Sequence, residues 1–69
     1  MKYLVVIEKA GENYSAYLPD IPGCVATGKT KEEARQNIVE ALGLHLEGLM
    51  EDGLPVPEPS SEADYVVAH

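Results

Sequence analysis

The side chains able to do chemistry are few and poorly placed for it. Histidine occurs twice, at His45 and His69, and cysteine once, at Cys24. His45 falls between Ala41 and Leu49 at helical spacing, on the stripe of a helix that meets a core, and no Ser or Cys is tied to it as a nucleophile would be to its base. That pattern predicts a partly buried histidine making one hydrogen bond. His69 is the final residue of the sequence. Cys24 follows a Pro-Gly turn and its nearest cation in sequence is Lys29, so nothing favours a thiolate and the residue reads as a small buried hydrophobe. Twelve carboxylates are present, yet Glu8, Asp20 and Glu51 have no spacing that would bring several acids onto one metal ion. Glu32 and Glu33 belong to a helix start and Asp20 to a turn, where capping and turn formation explain them. The residues therefore predict no catalytic set, no metal site and no cofactor. A residual hydrolase using Glu8 or Asp20 is the least favoured reading.

If the chain works without chemistry, its elements must position surfaces instead. At 69 residues there is room for one core, which must be built from aliphatic residues and four Tyr because Trp and Phe are absent. A lone cysteine allows no internal disulfide, so among the usual supports of a small domain only oligomerisation is left. The opening Met1-Lys2-Tyr3-Leu4-Val5-Val6-Ile7 meets Glu8 too soon for a signal segment or a membrane span, which predicts a cytoplasmic protein. A net charge of -7 disfavours direct contact with nucleic acid phosphates and favours a basic protein partner.

Residues 2–8 carry the Tyr, Val and Ile of a strand. Ala10-Gly11-Glu12-Asn13 supplies a hairpin, and residues 14–18 alternate Tyr14, Ala16 and Leu18 against Ser15 and Tyr17. Pro19-Asp20-Ile21-Pro22-Gly23 breaks the ladder ahead of a third short strand over 24–27. Thr30-Lys31-Glu32-Glu33 has capping-box spacing, with Glu33 expected to return to the Thr30 amide. A helix of about 21 residues should follow from Lys31 to the stop at Gly53 and Pro55, part of it overhanging the shorter sheet. Prolines at 55, 57 and 59 make a stiff extended connector, and Tyr65-Val66-Val67-Ala68 is a candidate last strand.

These elements predict an α+β fold: a two-layer β-β-β-α-β sandwich, mainly antiparallel, with one long helix on one face. The first strand is apolar on both sides, Leu4 and Val6 against Tyr3, Val5 and Ile7, while one helix covers only one face. Tyr3, Val5 and Ile7 are assigned to the uncovered side, where they would mediate self-association, most simply as a two-fold homodimer.

Two runs carry a family resemblance. Tyr17-Leu18-Pro19-Asp20-Ile21-Pro22-Gly23-Cys24 followed by Thr27-Gly28-Lys29-Thr30-Lys31-Glu32-Glu33-Ala34, and later Glu47-Gly48-Leu49-Met50-Glu51-Asp52-Gly53-Leu54-Pro55-Val56-Pro57-Glu58-Pro59-Ser60, resemble the HicB-like antitoxin family in order and spacing over most of the chain. Lys29 departs from the acidic residue usual there. The resemblance implies a β-β-β-α-β domain akin to a ribonuclease H-like core without its catalytic acids. It further implies that the domain neutralises a small basic HicA-type mRNA-cleaving toxin by occluding its active site. The expected organisation is a single HicB-like domain over 1–69 without the C-terminal DNA-binding module of longer relatives. Tyr14, Tyr17, Asp20 and Pro22 are the expected partner contacts, Tyr as rigid amphipathic area and Asp20 as a charge facing a basic surface. The alternative is a stand-alone oligomeric scaffold or regulatory domain with another partner.

Overall fold

The computed structural model describes all residues, 1–69. Three strands, β1 (Val6–Ala10), β2 (Asn13–Tyr17) and β3 (Val25–Gly28), form an antiparallel sheet in the order β1-β2-β3, followed by one helix, α1 (Lys31–Glu51). β1 begins four residues later than the strand expected from residue 2, because its partner strand stops at Tyr17 ahead of Pro19, and a strand is defined by the neighbour it bonds to. The hairpin is the two-residue loop Gly11-Glu12. Gly11 takes φ 65° at its first position, as the tight primed turn with glycine there demands.

The helix starts and stops as its sequence dictates, with one shift. Thr30 Oγ1 accepts the Glu33 amide at 3.0 Å, whereas the Glu33 carboxylate accepts from the Lys29 amide at 3.1 Å instead of the expected Thr30 amide. At the other end Gly53 sits at φ 67°, its amide donates to Met50 O (3.2 Å), and the Leu54 amide donates to Leu49 O (2.9 Å). This paired arrangement closes off the last carbonyls and turns the chain out of the helix. With 21 residues against strands of four or five, α1 overhangs the sheet, leaving Leu44 and Met50 exposed. His45 is half-buried and makes no hydrogen bond with the protein.

Which sheet face the helix covers follows from small residues. The cross-strand rows Ile7-Ala16-Ala26 and Lys9-Tyr14-Gly28 face α1, and Ala16 is wholly inaccessible. Ala16, Leu18, Ile21, Cys24, Ala34 and Ile38 form the core cluster. Tyr3, Val5 and Ile7 pack against it, so these residues lie on the covered face and not on the open one. The expectation for them was inverted because alternation defines two sets of residues without saying which set the helix meets. Leu4 and Val6 belong to the opposite face. The second correction concerns the C terminus: residues 54–69 form no strand, and 65–68 pair with nothing. No helix is long and apolar enough to cross a membrane.

Gly28 is the closest point of contact between the layers. A side-chain carbon there would come within 2.8 Å of Glu33 C and 2.9 Å of Ala34 Cα, both backbone atoms of the first helical turn. Gly28→Ala is therefore expected to destabilise the domain by roughly 1–3 kcal/mol through overpacking. Urea unfolding of the variant beside Gly43→Ala, whose added carbon meets open space, checks this.

Candidate functional site

Residues 18–24 fold as two successive tight turns. The Ile21 amide donates to Leu18 O at 3.0 Å and the Cys24 amide to Ile21 O at 3.2 Å. Pro22 pre-sets the first central position of the second turn and Gly23, at φ 83°, takes the second, the combination a type II turn requires. Leu18, Ile21 and Cys24 are buried anchors, so the residues between them are held at the surface without a strand to support them. Burial pushes the Cys24 thiol up from its ordinary value, which keeps it protonated and unreactive.

The Asp20 carboxylate in this turn is already engaged. Its Oδ2 accepts the backbone amides of Ser60 and Ser61, both at 2.9 Å, and its Oδ1 accepts the Ser61 hydroxyl at 2.7 Å and the Ser60 hydroxyl at 3.1 Å. These donors, the Ser61 amide first, stabilise the charged form and lower the Asp20 pKa from 3.8 to about 2. A second fastening lies nearby, where Tyr3 Oη donates to Pro57 O at 2.6 Å. The proline-rich segment is thus strapped across the end of the sheet. Asp20 acts as its anchor, a role beyond the free surface charge that sequence reasoning assigned to it. The pair of serines was the missed signal, since a short run of adjacent donors can saturate one carboxylate only when the fold brings them 40 residues back.

The four expected contact residues do not share one surface. Tyr14 lies on the helix-facing side, half-buried, with Lys31 Nζ 6.0 Å from its ring centroid. Tyr17 is on the open face, in the row Val6-Tyr17-Val25 that runs across all three strands, and is 38% exposed beside Val25 at 60%. The exposed Pro22 borders the same face through a shallow depression lined by Tyr17, Pro19, Pro22 and Val25. Glu8, Ser15 and Thr27 form the next row. Half the open face is therefore an apolar strip and the other half polar with a carboxylate. Sequence reasoning missed Val6 and Val25, and only the strand register could have found them, because they stand 19 residues apart. No three His, Cys, Asp or Glu side chains converge anywhere in the molecule. What the arrangement can do chemically is bury area and present charge.

Comparison with known proteins points the same way. Residues 3–69 match the model of a family described as HicB-like antitoxin of bacterial toxin-antitoxin systems. A 14.9 kDa protein from the rep-hol intergenic region of Haemophilus phage HP1 is 38% identical over 66 residues, which is 96% of this chain and 50% of that protein. Antitoxin HicB 1 of Photorhabdus laumondii is 38% identical over 96% of this chain and 44% of its own length. This chain thus spans half or less of both relatives. Among solved structures, one of a HicA3 and HicB3 toxin-antitoxin complex contains a chain similar to this one at a TM-score of 0.73 and 38% identity, over 87% of this chain and 70% of that one.

The Asp20 clamp gives a pH signature. Folding depresses this pKa, so its contribution is complete above 3.8 and is lost as pH falls through about 2. Amide signals of Ser60 and Ser61 should report this midpoint by NMR. In Asp20→Asn their hydrogen exchange at neutral pH should be faster by about tenfold or more, while Ala16 and Ile38 keep their protection. Unchanged exchange at Ser60 and Ser61 would show that the clamp does not hold the tail.

Proposed function

Because this chain belongs to the HicB-like antitoxin family, we propose that it neutralises a small, basic HicA-type toxin by covering the toxin's active site with the open face of its sheet. The observation that carries this reading is the Val6-Tyr17-Val25 strip beside Glu8, an apolar patch with a charged margin on a molecule of net charge -7. Such a surface has the anatomy of a protein interface, with an aromatic and aliphatic centre bounded by polar residues. The negative field would draw a basic partner in and orient it, and the buried strip would then hold it.

The proposal revises the expected contacts. Tyr17 and Pro22 remain in the contact surface, joined by Val6 and Val25, whereas Tyr14 contributes by packing against α1 and Asp20 by anchoring the tail. The protein acts by binding and takes no part in bond cleavage. The hydrolase alternative has no cluster of acids to support it, since Asp20 already accepts four hydrogen bonds. Inhibition then depends on how well the open face fits the toxin, and a soluble domain of this composition acting inside the cell is the setting it requires.

The test is co-expression with a HicA-type toxin from the same genome, together with binding to a catalytically dead form of that toxin. Tyr17→Ala with Val25→Ala should weaken binding by roughly 30-fold or more, about 2 kcal/mol for an aromatic at the centre of an interface, and should abolish rescue of growth. Tyr14→Ala should leave affinity within a few-fold. Raising salt should slow association more than it speeds dissociation. Full rescue by the Tyr17→Ala, Val25→Ala variant, with its circular dichroism unchanged, would remove this face from consideration.

A further inference from the structure

α1 packs chiefly on β3 and β2, and beside the residues that lead into β1 it stands clear of the sheet. An apolar groove of about 150 Å³ opens there. The buried side chains of Leu18 and Ile38 line its bottom. Tyr3 and Val5, from the chain just ahead of β1, form one side, and Arg35, Val39 and Leu42 form the other. These three recur with Ile38 at steps of three and four, so they share one face of α1. The side opposite them is fixed in advance. The Tyr3 hydroxyl donates to Pro57 O at 2.6 Å, and Tyr3 and Val5 both pack against the core cluster. A site that is already formed spares its ligand the cost of ordering it.

Volume sets the size of what fits, and charge sets its head group. An enclosed apolar cavity of about this volume admits benzene, so the groove has room for one ring or a short branched chain. Acidic residues outnumber Lys and Arg by 12 to 5 in this chain, yet no carboxylate lines the groove, and the one charged residue that does is Arg35. Its guanidinium takes part in none of the side-chain hydrogen bonds of the molecule, although Glu32 stands one turn earlier on the same helix. The planar fork of an arginine matches the two oxygens of a carboxylate. At the lip of an apolar groove that pairing is screened less than in open water. An amine would meet a like charge there, and a neutral molecule would leave the guanidinium without a partner.

We propose that this groove binds a small carboxylic acid bearing one ring or a short branched chain, with the apolar part between Tyr3 and Leu42 and the carboxylate on Arg35. An apolar recess with a single polar group placed to orient the ligand is the usual form of a small-molecule site. The groove lies on the helix side of the sheet, opposite the Val6-Tyr17-Val25 strip, so the acid and a protein partner on the open face would occupy separate surfaces. Burial of the ring against Leu18 and Ile38 supplies affinity, and the pairing with Arg35 supplies the preference for an anion.

Titration of the isotope-labelled full chain with 3-phenylpropionate should move the methyl signals of Val5, Leu18, Ile38 and Leu42 saturably, with a Kd on the order of 1 mM or tighter for a ligand of this size. The alcohol and the amine with the same ring and chain, 3-phenylpropanol and 3-phenylpropylamine, should bind about tenfold more weakly or worse. Arg35→Gln, at an exposed position, should bring the acid down to the affinity of the alcohol and leave the alcohol within about threefold, with circular dichroism unchanged. Val39→Glu, at a position 59% exposed, should weaken the acid by about tenfold by setting a carboxylate beside Arg35. No saturable shift at the groove, equal affinity for acid and alcohol, or unchanged binding of the acid by Arg35→Gln would each overturn the proposal. So would groove signals that respond to protein concentration and not to the acid, because a second copy would then be the occupant.

Discussion

The close seating of the first turns of α1 on one face of the sheet is the constraint from which the rest of this molecule follows. Gly28, Ala16 and Ala26 leave room for the helix backbone to approach, and Ala34 and Ile38 fill the space that remains. A larger side chain at Gly28 would push against main-chain atoms, which cannot move aside as a flexible side chain could. Once α1 sits there, the face bearing Tyr3, Val5 and Ile7 becomes the interior. The strip Val6-Tyr17-Val25 is left facing outward, and the helix is displaced away from the outer flank of β1. A core of so few buried side chains gives modest stability at best, so the surfaces that remain uncovered carry an energetic weight that a larger domain would not feel.

The segment after the helix is organised by polar contacts. Three prolines restrict it to extended conformations, lowering the entropy lost when it is fastened. It is then tied at two points, by the Tyr3 hydroxyl and by the Asp20 carboxylate with its four donors. Asp20 is held in the first of two successive turns, and the second is closed through Pro22 and Gly23. Turn chemistry at one end of the sheet therefore decides the course of a segment 40 residues further along, and with it the direction in which the last residues leave the body.

The side chains of this molecule are arranged to bury area and present charge. Its carboxylates are dispersed or engaged, its thiol is buried and protonated, and its histidines belong to no cluster of metal-ligating side chains. The surplus negative charge has no internal partner to satisfy, leaving it available as a long-range field toward a basic surface. An apolar strip on an otherwise acidic body offers both speed of encounter with a basic surface and area to bury.

Much of this was legible in the residues alone, because local rules act on local sequence. The Gly11 hairpin, the turn through Pro22 and Gly23, the Thr30 cap, the Gly53 stop and the membership of the family all rest on neighbours within a few positions or on the order of motifs along the chain. The alternation in β1 and β2 also separated the two sets of side chains correctly. Tertiary structure alone decided which set faces the helix, since alternation is symmetric and only the packing of α1 on small residues breaks that symmetry. It likewise decided that Tyr14 and Tyr17 point to opposite sides of the domain and that Asp20 serves the tail. Residues 65–68, strand-like in composition, stay unpaired because a strand exists only where a second backbone completes its hydrogen bonds, and no run of side chains can specify that partner by itself.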